Sequence, residues 1–322
     1  MFLNLGELSA FSRDWGPKSV ADNYYDVHVL HKSMKARQMT YPGGENIRLQ
    51  LMIAGDPHDE TGRAQDFYGT WDYRNPNLFD AAQFEPKMDV QIITVWDGEV
   101  AINGSSDVQY ANLVTNRQSA YTKIFADRMS RYLYGRGQGG VRINGLEDIY
   151  DNDSTFGKID RSDTDIFNTY VFEASDGTGR AISRRLLGQA ATSITDGSIK
   201  PDLILTTPDV WDAIEAILDE QERYPNTMMV DAGFTNMTYR GIPIVYDKNM
   251  PVKGRQNHSL RFLNFDYWRW YVHQGFNMAR HEWMRMPNNA GQFEVIINIG
   301  NTCSDNLRYL ATLDDINPSL TT

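Results

Sequence analysis

The chain has 322 residues, 41% of them hydrophobic and 23% charged, proportions of a globular protein long enough for two packed cores or one elaborated fold. A formal net charge of −11 argues against a free-standing nucleic-acid binder, which needs a basic surface to displace counterions, although it leaves room for a container whose wall tolerates DNA. Cys303 is the sole cysteine, so no intrachain disulfide and no cysteine-cluster metal site can form.

The opening MFLNLGELSAF lacks a basic region followed by a long apolar run, and no stretch of eighteen apolar residues follows, so a soluble protein made in the cytoplasm, without membrane contact, is expected. Residues 1–45 are polar, broken by Pro17, Pro42 and Gly43-Gly44, and read as a tail or an arm that orders against a partner. Lys32, Lys35 and Arg37 form its basic cluster, the place for any weak contact with DNA. His28 and His31 share a possible helical face but lack the further ligands a metal site needs.

Ile47, Leu49, Leu51 and Ile53 alternate with other residues in the period of a strand. A second run, Val90, Ile92, Ile93, Val95 and Trp96, continues past a turn at Gly98 to Val100 and Ile102. The long connection between them carries Phe67, Tyr68, Trp71, Tyr73, Phe79 and Phe84. Residues 56–88 hold seven acidic and three basic side chains, a net −4. An aromatic, acidic hairpin end of this kind suggests a protruding arm that docks on something, and the six aromatics are its candidate contact residues.

From Asp107 to Tyr134, Tyr121, Ile124, Phe125, Met129, Tyr132 and Leu133 recur at three- and four-residue spacing. Asp107 can cap the start and Gly135 can end the helix, which spans roughly 42 Å at about 1.5 Å per residue. Burial of Tyr121, Ile124, Phe125 and Leu133 is predicted. The following RGQGG is not a phosphate loop, because it follows a helix and lacks the Gly-Lys-Ser/Thr ending; it reads as a flexible exit.

Beyond Leu146 the chain alternates strand and helix: an amphipathic helix in Arg180–Thr195, a strand at Leu203–Leu205, and a helix after Thr207-Pro208. Strands follow at Ile242–Tyr246, Leu260–Tyr271 and Phe293–Ile299. No enzyme signature emerges. His281-Glu282 opens like a zinc-protease motif, but position 285 is arginine. Counting from Asp151, the sixth and twelfth positions of a calcium loop hold Phe156 and Ser162 instead of Gly and Glu. No Gly-x-Ser-x-Gly elbow occurs. No catalytic residue, cofactor or metal ligand is assigned.

Three stretches resemble the major capsid proteins of tailed bacteriophages with the Hong Kong 97-type fold. GLEDIYDNDSTFGKIDRSDTDIFNTY (145–170) resembles the family's segment ending in a Gly-Ile-Asp-Arg-like turn before an aromatic strand. GSIKPDLILTTPDVWDAI (197–214) is similar to its strand-to-helix step, and DAGFTNMTYRGIPIVYDKNMP (231–251) to its Gly-Phe, Gly-x-Pro strand and Asp-x-x-x-Pro turn. The resemblance implies an α+β fold with an N-terminal arm (1–45) and an extended β-hairpin loop (46–104). It further implies a peripheral domain with a spine helix (105–143, completed by 293–322) and an axial domain (144–292). It implies a structural subunit, not an enzyme, located in the virion. Its partners would be copies of itself in hexamers and pentamers, a separate scaffolding protein, a portal protein and packaged double-stranded DNA. A few relatives crosslink a hairpin lysine to an asparagine; Lys87, the only lysine between 46 and 104, lies at the returning strand's base, and crosslinking is not expected. Two other readings remain open: an encapsulin-like nanocompartment shell, and an α/β enzyme built on 197–292.

Overall fold

The computed structural model describes residues 28–52, 67–69, 79–103, 107–162, 167–174, 179–218, 237–252 and 258–320. The chain enters through α1 (Val29–Ala36) and β1 (Met39–Tyr41), then β2 (Ile47–Met52) and β3 (Phe79–Phe84). These two strands form an antiparallel hairpin with Ile47 opposite Phe84 and Met52 opposite Phe79. The returning strand is therefore β3. The run at 90–96 belongs instead to β4 (Lys87–Trp96), which pairs antiparallel along its whole length with β15 (Gly291–Ser304), from Gly291 opposite Trp96 to Gly300 opposite Lys87. Residues Asp97–Asn103, expected as turn and strand, are a short helix, α2, begun by the acidic Asp97 and Glu99.

Helix α3 spans Asp107–Tyr134, as its period predicts. Phe125, Met129 and Leu133 are fully buried, whereas Ile124 is 39% exposed, which corrects the expectation of its burial. Residues 124 and 125 differ by about 100° around the helix, so the stripe that faces the core excludes one of them. Ile124→Asp is accordingly expected to change stability by no more than about 0.5 kcal/mol, against about 3–5 kcal/mol for Phe125→Ala, both read from chemical denaturation.

Helix α3 is stapled to β4 from one side. Arg117 holds Glu99 in two bonds of 2.6 and 3.0 Å and donates to the Thr94 carbonyl at 3.0 Å. Arg128 reaches Asp89 at 3.0 Å, Gln91 at 2.9 Å and the Val90 carbonyl at 3.2 Å. The exit after α3 is closed, not flexible: the Asp148 carboxylate accepts the backbone N–H groups of Gly137, Gln138 and Gly145. A Cβ at Gly145 would lie 2.1 Å from the Gly135 carbonyl oxygen, so the two ends of the loop touch backbone to backbone.

Two six-stranded sheets organise the rest. In the first, β15 is central, with β4 on one edge and β12 (Trp268–His273), β13 (Ala279–Arg280) and β14 (Met284–Arg285) on the other; β1 extends it, parallel to β12. The second runs β7 (Tyr170–Phe172), β16 (Ala311–Ile316), β11 (His258–Leu263), β8 (Leu203–Thr206), β10 (Ile242–Tyr246), β9 (Met237–Tyr239). Helices α5 (Arg184–Ser193) and α6 (Pro208–Ile217) lay Leu187, Ala190, Val210 and Ile214 into one core with Ile204. Leu203 and Leu205 point the other way, into the core that holds Phe125, Leu133, Trp268 and Trp270. The strand expected over 260–271 is two strands in different sheets, because the Asn264 side chain and carbonyl bind the N–H groups of Asp266 and Trp268 and turn the chain. The segment from 293 onward is likewise divided, β15 in the first sheet and β16 in the second. Two small pieces complete the fold: α4 (Leu146–Tyr150), and a hairpin of β5 (Thr155–Phe156) with β6 (Ile159–Asp160). No helix among the described residues is long and apolar enough to cross a membrane.

Helix α1 lies on α3 through Val29, Leu30 and Met34, fastened by His28, whose Nε2 is 3.2 Å from Asp127 and whose Nδ1 meets the Asn249 amide nitrogen at 2.9 Å. Burial, with Lys35 and His28 nearby, lowers the His31 pKa to about 4. The unfolded chain, titrating near the ordinary histidine value of about 6.5, then binds more protons than the folded one between those values. Stability is therefore expected to fall by about 3 kcal/mol as pH drops from about 6.5 to 4, and His31→Phe to flatten that loss. Denaturation curves at both pH values check it; equal loss in the variant would assign the effect elsewhere.

Candidate functional site

The aromatic hairpin residues separate into three groups. Phe67 and Tyr68 are 98% and 97% exposed, with ring centroids 6.5 Å apart. Phe84 is corrected: at 1% exposure it belongs to the chain's own core, its ring edge-on to Phe156 at 5.1 Å. Trp71, Tyr73 and the Phe79 side chain lie outside the described residues.

Of the basic cluster, Lys32 and Lys35 are exposed on α1. Arg37 is spoken for within the chain. It bonds Asp202 at 2.7 Å, lies 3.7 Å from Asp266 and stacks over Phe265 at 5.8 Å, so its charge ties the segment after α1 to residues 202–266. Lys87 pairs with Glu85 at 3.3 Å.

A second surface was not legible in the sequence. Across the β4–β15 ladder Met88 stands opposite Ile299, Val90 opposite Ile297 and Ile92 opposite Val295. Side chains of paired residues share a face. The other face, with Ile93 and Val95 buried, is the one α3 covers. On the face that no described element covers, Met88 is 61% and Ile92 50% exposed, and the rest are half-buried. A sheet face this apolar is normally packed against something. Period-2 alternation gives two apolar pairs on β4, Val90 with Ile92 and Ile93 with Val95, but not which of them the chain's own helix covers.

Among the described residues, three groupings capable of chemistry are tied down. Thr207 and His258 stand 2.7 Å apart with Asp209 3.9 Å from the other ring nitrogen, yet both are almost fully buried, so no substrate reaches the hydroxyl. Cys303 is buried, which pushes its thiol well above the usual range and away from the reactive thiolate. Asp151 and Asp153 line a cavity of about 380 Å³ with Glu147, Glu173 and Asp314, but Arg136 sits 2.7 Å from Asp151, and Arg261 pairs with Asp314 at 3.3 Å. Among the described residues no three His, Cys, Asp or Glu side chains are grouped to hold a metal ion.

No protein-family model matches the sequence, and no curated protein matches it. Solved structures do. A chain of the cyanophage A-1(L) capsid asymmetric unit superposes with a TM-score of 0.72 at 13% identity, covering 95% of this chain and 97% of that one. The encapsulin of the holo-SrpI complex from Synechococcus elongatus PCC 7942 does so at 0.62 and 9% identity, covering 100% and 98%. A chain of the capsid of a native GTA particle gives 0.60 at 9% identity, covering 94% and 95%. The chain therefore has the α+β fold of these capsid and encapsulin chains, the Hong Kong 97-type architecture that the resemblance implied.

Proposed function

We propose that the chain is the major capsid protein of a tailed bacteriophage, a structural subunit, many copies of which close into an icosahedral shell around double-stranded DNA. The observation that carries the reading is the superposition on the cyanophage capsid chain over nearly the whole of both molecules. The surfaces support it. One chain carries both an aromatic hairpin end, Phe67 and Tyr68, and an apolar sheet face exposed among the described residues, and a head-to-tail contact between copies would bury such features around a closed ring. On this reading 1–45 is the arm, 46–104 the extended loop, 105–143 with 293–322 the peripheral domain, and 144–292 the axial domain. Partners are further copies in hexamers and pentamers, a scaffolding protein, a portal, and DNA touched weakly through Lys32 and Lys35. The place of action is the virion.

The encapsulin likeness supports a second reading, a shell that encloses protein cargo. Particles purified from the producing cells decide between them. Nuclease-protected double-stranded DNA inside is the expected result, and protein cargo without DNA would replace the phage reading with the compartment.

A further inference from the structure

We infer that the tight turn Phe156-Gly157-Lys158 is the seat that fixes the direction in which the β2–β3 hairpin leaves the molecule, with Gly157 as its positioning residue. Its consequence for assembly rests on the capsid reading above.

The hairpin root touches this turn on two sides. Within its own ladder Gln83 stands opposite Arg48 of β2, and its N–H donates at 2.8 Å to the Gly157 carbonyl. Next to it, Ala82 and Phe84 close over the turn. A Cβ at residue 157 would lie 2.8 Å from the far end of the Phe84 ring and 3.1 Å from the Ala82 Cβ, so only glycine lets the strand come this close. The rings Phe84, Phe156 and Phe167 then pack in series at 5.1 and 6.2 Å.

The turn itself cannot yield. Gly157 and Lys158 have φ of 60° and 65°, a two-residue left-handed turn between β5 and β6, and such a conformation at lysine persists only where its surroundings enforce it. Arg161 does the enforcing. Fully buried, it donates to the carbonyls of Asp148, Ile149, Asp151 and Ser154 and lies over the Phe156 ring at 5.5 Å. Burial lowers its pKa to about 10, so it stays cationic at neutral pH. A rigid turn pressed against one edge of a two-stranded ribbon sets the ribbon's angle. Copies that join through the ribbon's end depend on that angle.

The test places spin labels at Gln50→Cys on β2 and Val141→Cys beyond α3, both exposed, while buried Cys303 escapes labelling. Distances are measured by pulsed electron resonance on the free subunit. Asparagine tolerates positive φ, so Gly157→Asn introduces the collision with Phe84 without the backbone penalty of other residues. The parent pair is expected to give one narrow distance. Gly157→Asn should shift or broaden it, change melting little, and lower particle yield about tenfold or more, since small misalignments multiply around a closed shell. Adding Phe84→Leu, which removes the collision, should restore both readouts. Should Gly157→Asn fail to fold, Phe156→Leu, which loses the ring-edge contact but keeps an apolar seat, must show the same distance change. An unchanged distance in the soluble variants overturns the seat. Absence of particles from the parent protein overturns the capsid reading alone, and the distances still judge the turn.

Discussion

Arg161→Leu is expected to destabilise the subunit by about 3–5 kcal/mol. The guanidinium is 0% exposed, and it is the donor for the backbone carbonyls of Asp148, Ile149 and Ser154, at 2.6, 2.6 and 3.0 Å, and for that of Asp151. Leucine fills part of the volume but leaves these oxygens buried without donors, at about 1–3 kcal/mol each before relaxation. Arg161→Lys should recover only a fraction, because one ammonium on a flexible stem cannot match a planar fork aimed at several carbonyls. The midpoint of chemical denaturation reads the effect. An unchanged midpoint in the leucine variant would mean that water or rearranged backbone satisfies the carbonyls, and the turn would not be held by Arg161.

The second large effect falls on assembly and spares folding. Replacing residues 53–78 by Asn-Gly joins Met52 to Phe79, which already face one another, through the two-residue turn antiparallel strands favour. The exchange removes Phe67 and Tyr68 but keeps Ile47, Leu51, Ala82 and Phe84, the hairpin residues buried in the core. Melting of the free subunit should therefore move by less than about 1 kcal/mol in stability, while closed particles fall below roughly one per cent of the parent yield. Sedimentation alongside thermal melting separates the outcomes. Normal shells from the shortened chain would refute the docking role of the hairpin end, and loss of the folded subunit would show that the removed residues serve its own core.

The elements with strong local signals were legible. Helix α3 follows from the three- and four-residue spacing of Tyr121 to Leu133, with Asp107 and Gly135 at its ends, and α6 from Thr207-Pro208. What failed was pairing at a distance. β4 looks like the return of the hairpin because it is the next apolar run, yet its partner is β15, about two hundred residues later, and nothing local encodes that choice. Burial of single residues failed for a related reason. Ile124 and Phe125 are equally apolar, and only the helix's rotation against β4 decides between them. Phe84 was grouped with the exposed rings by composition. Its period-2 relation to Ala82, both opposite apolar residues of β2, was the available signal that it faces inward. The apolar face of the first sheet is not legible because Val90, Ile92, Ile93 and Val95 form one nearly continuous apolar run, which reads as a buried strand.

The claim at the centre of the account is that copies of this chain build a closed shell. Electron microscopy of the purified protein, alone and co-expressed with a scaffolding partner, tests it most directly. Closed particles of uniform diameter with icosahedral symmetry are the expected result. A population of monomers or dimers under every condition, with particles in none, would contradict it.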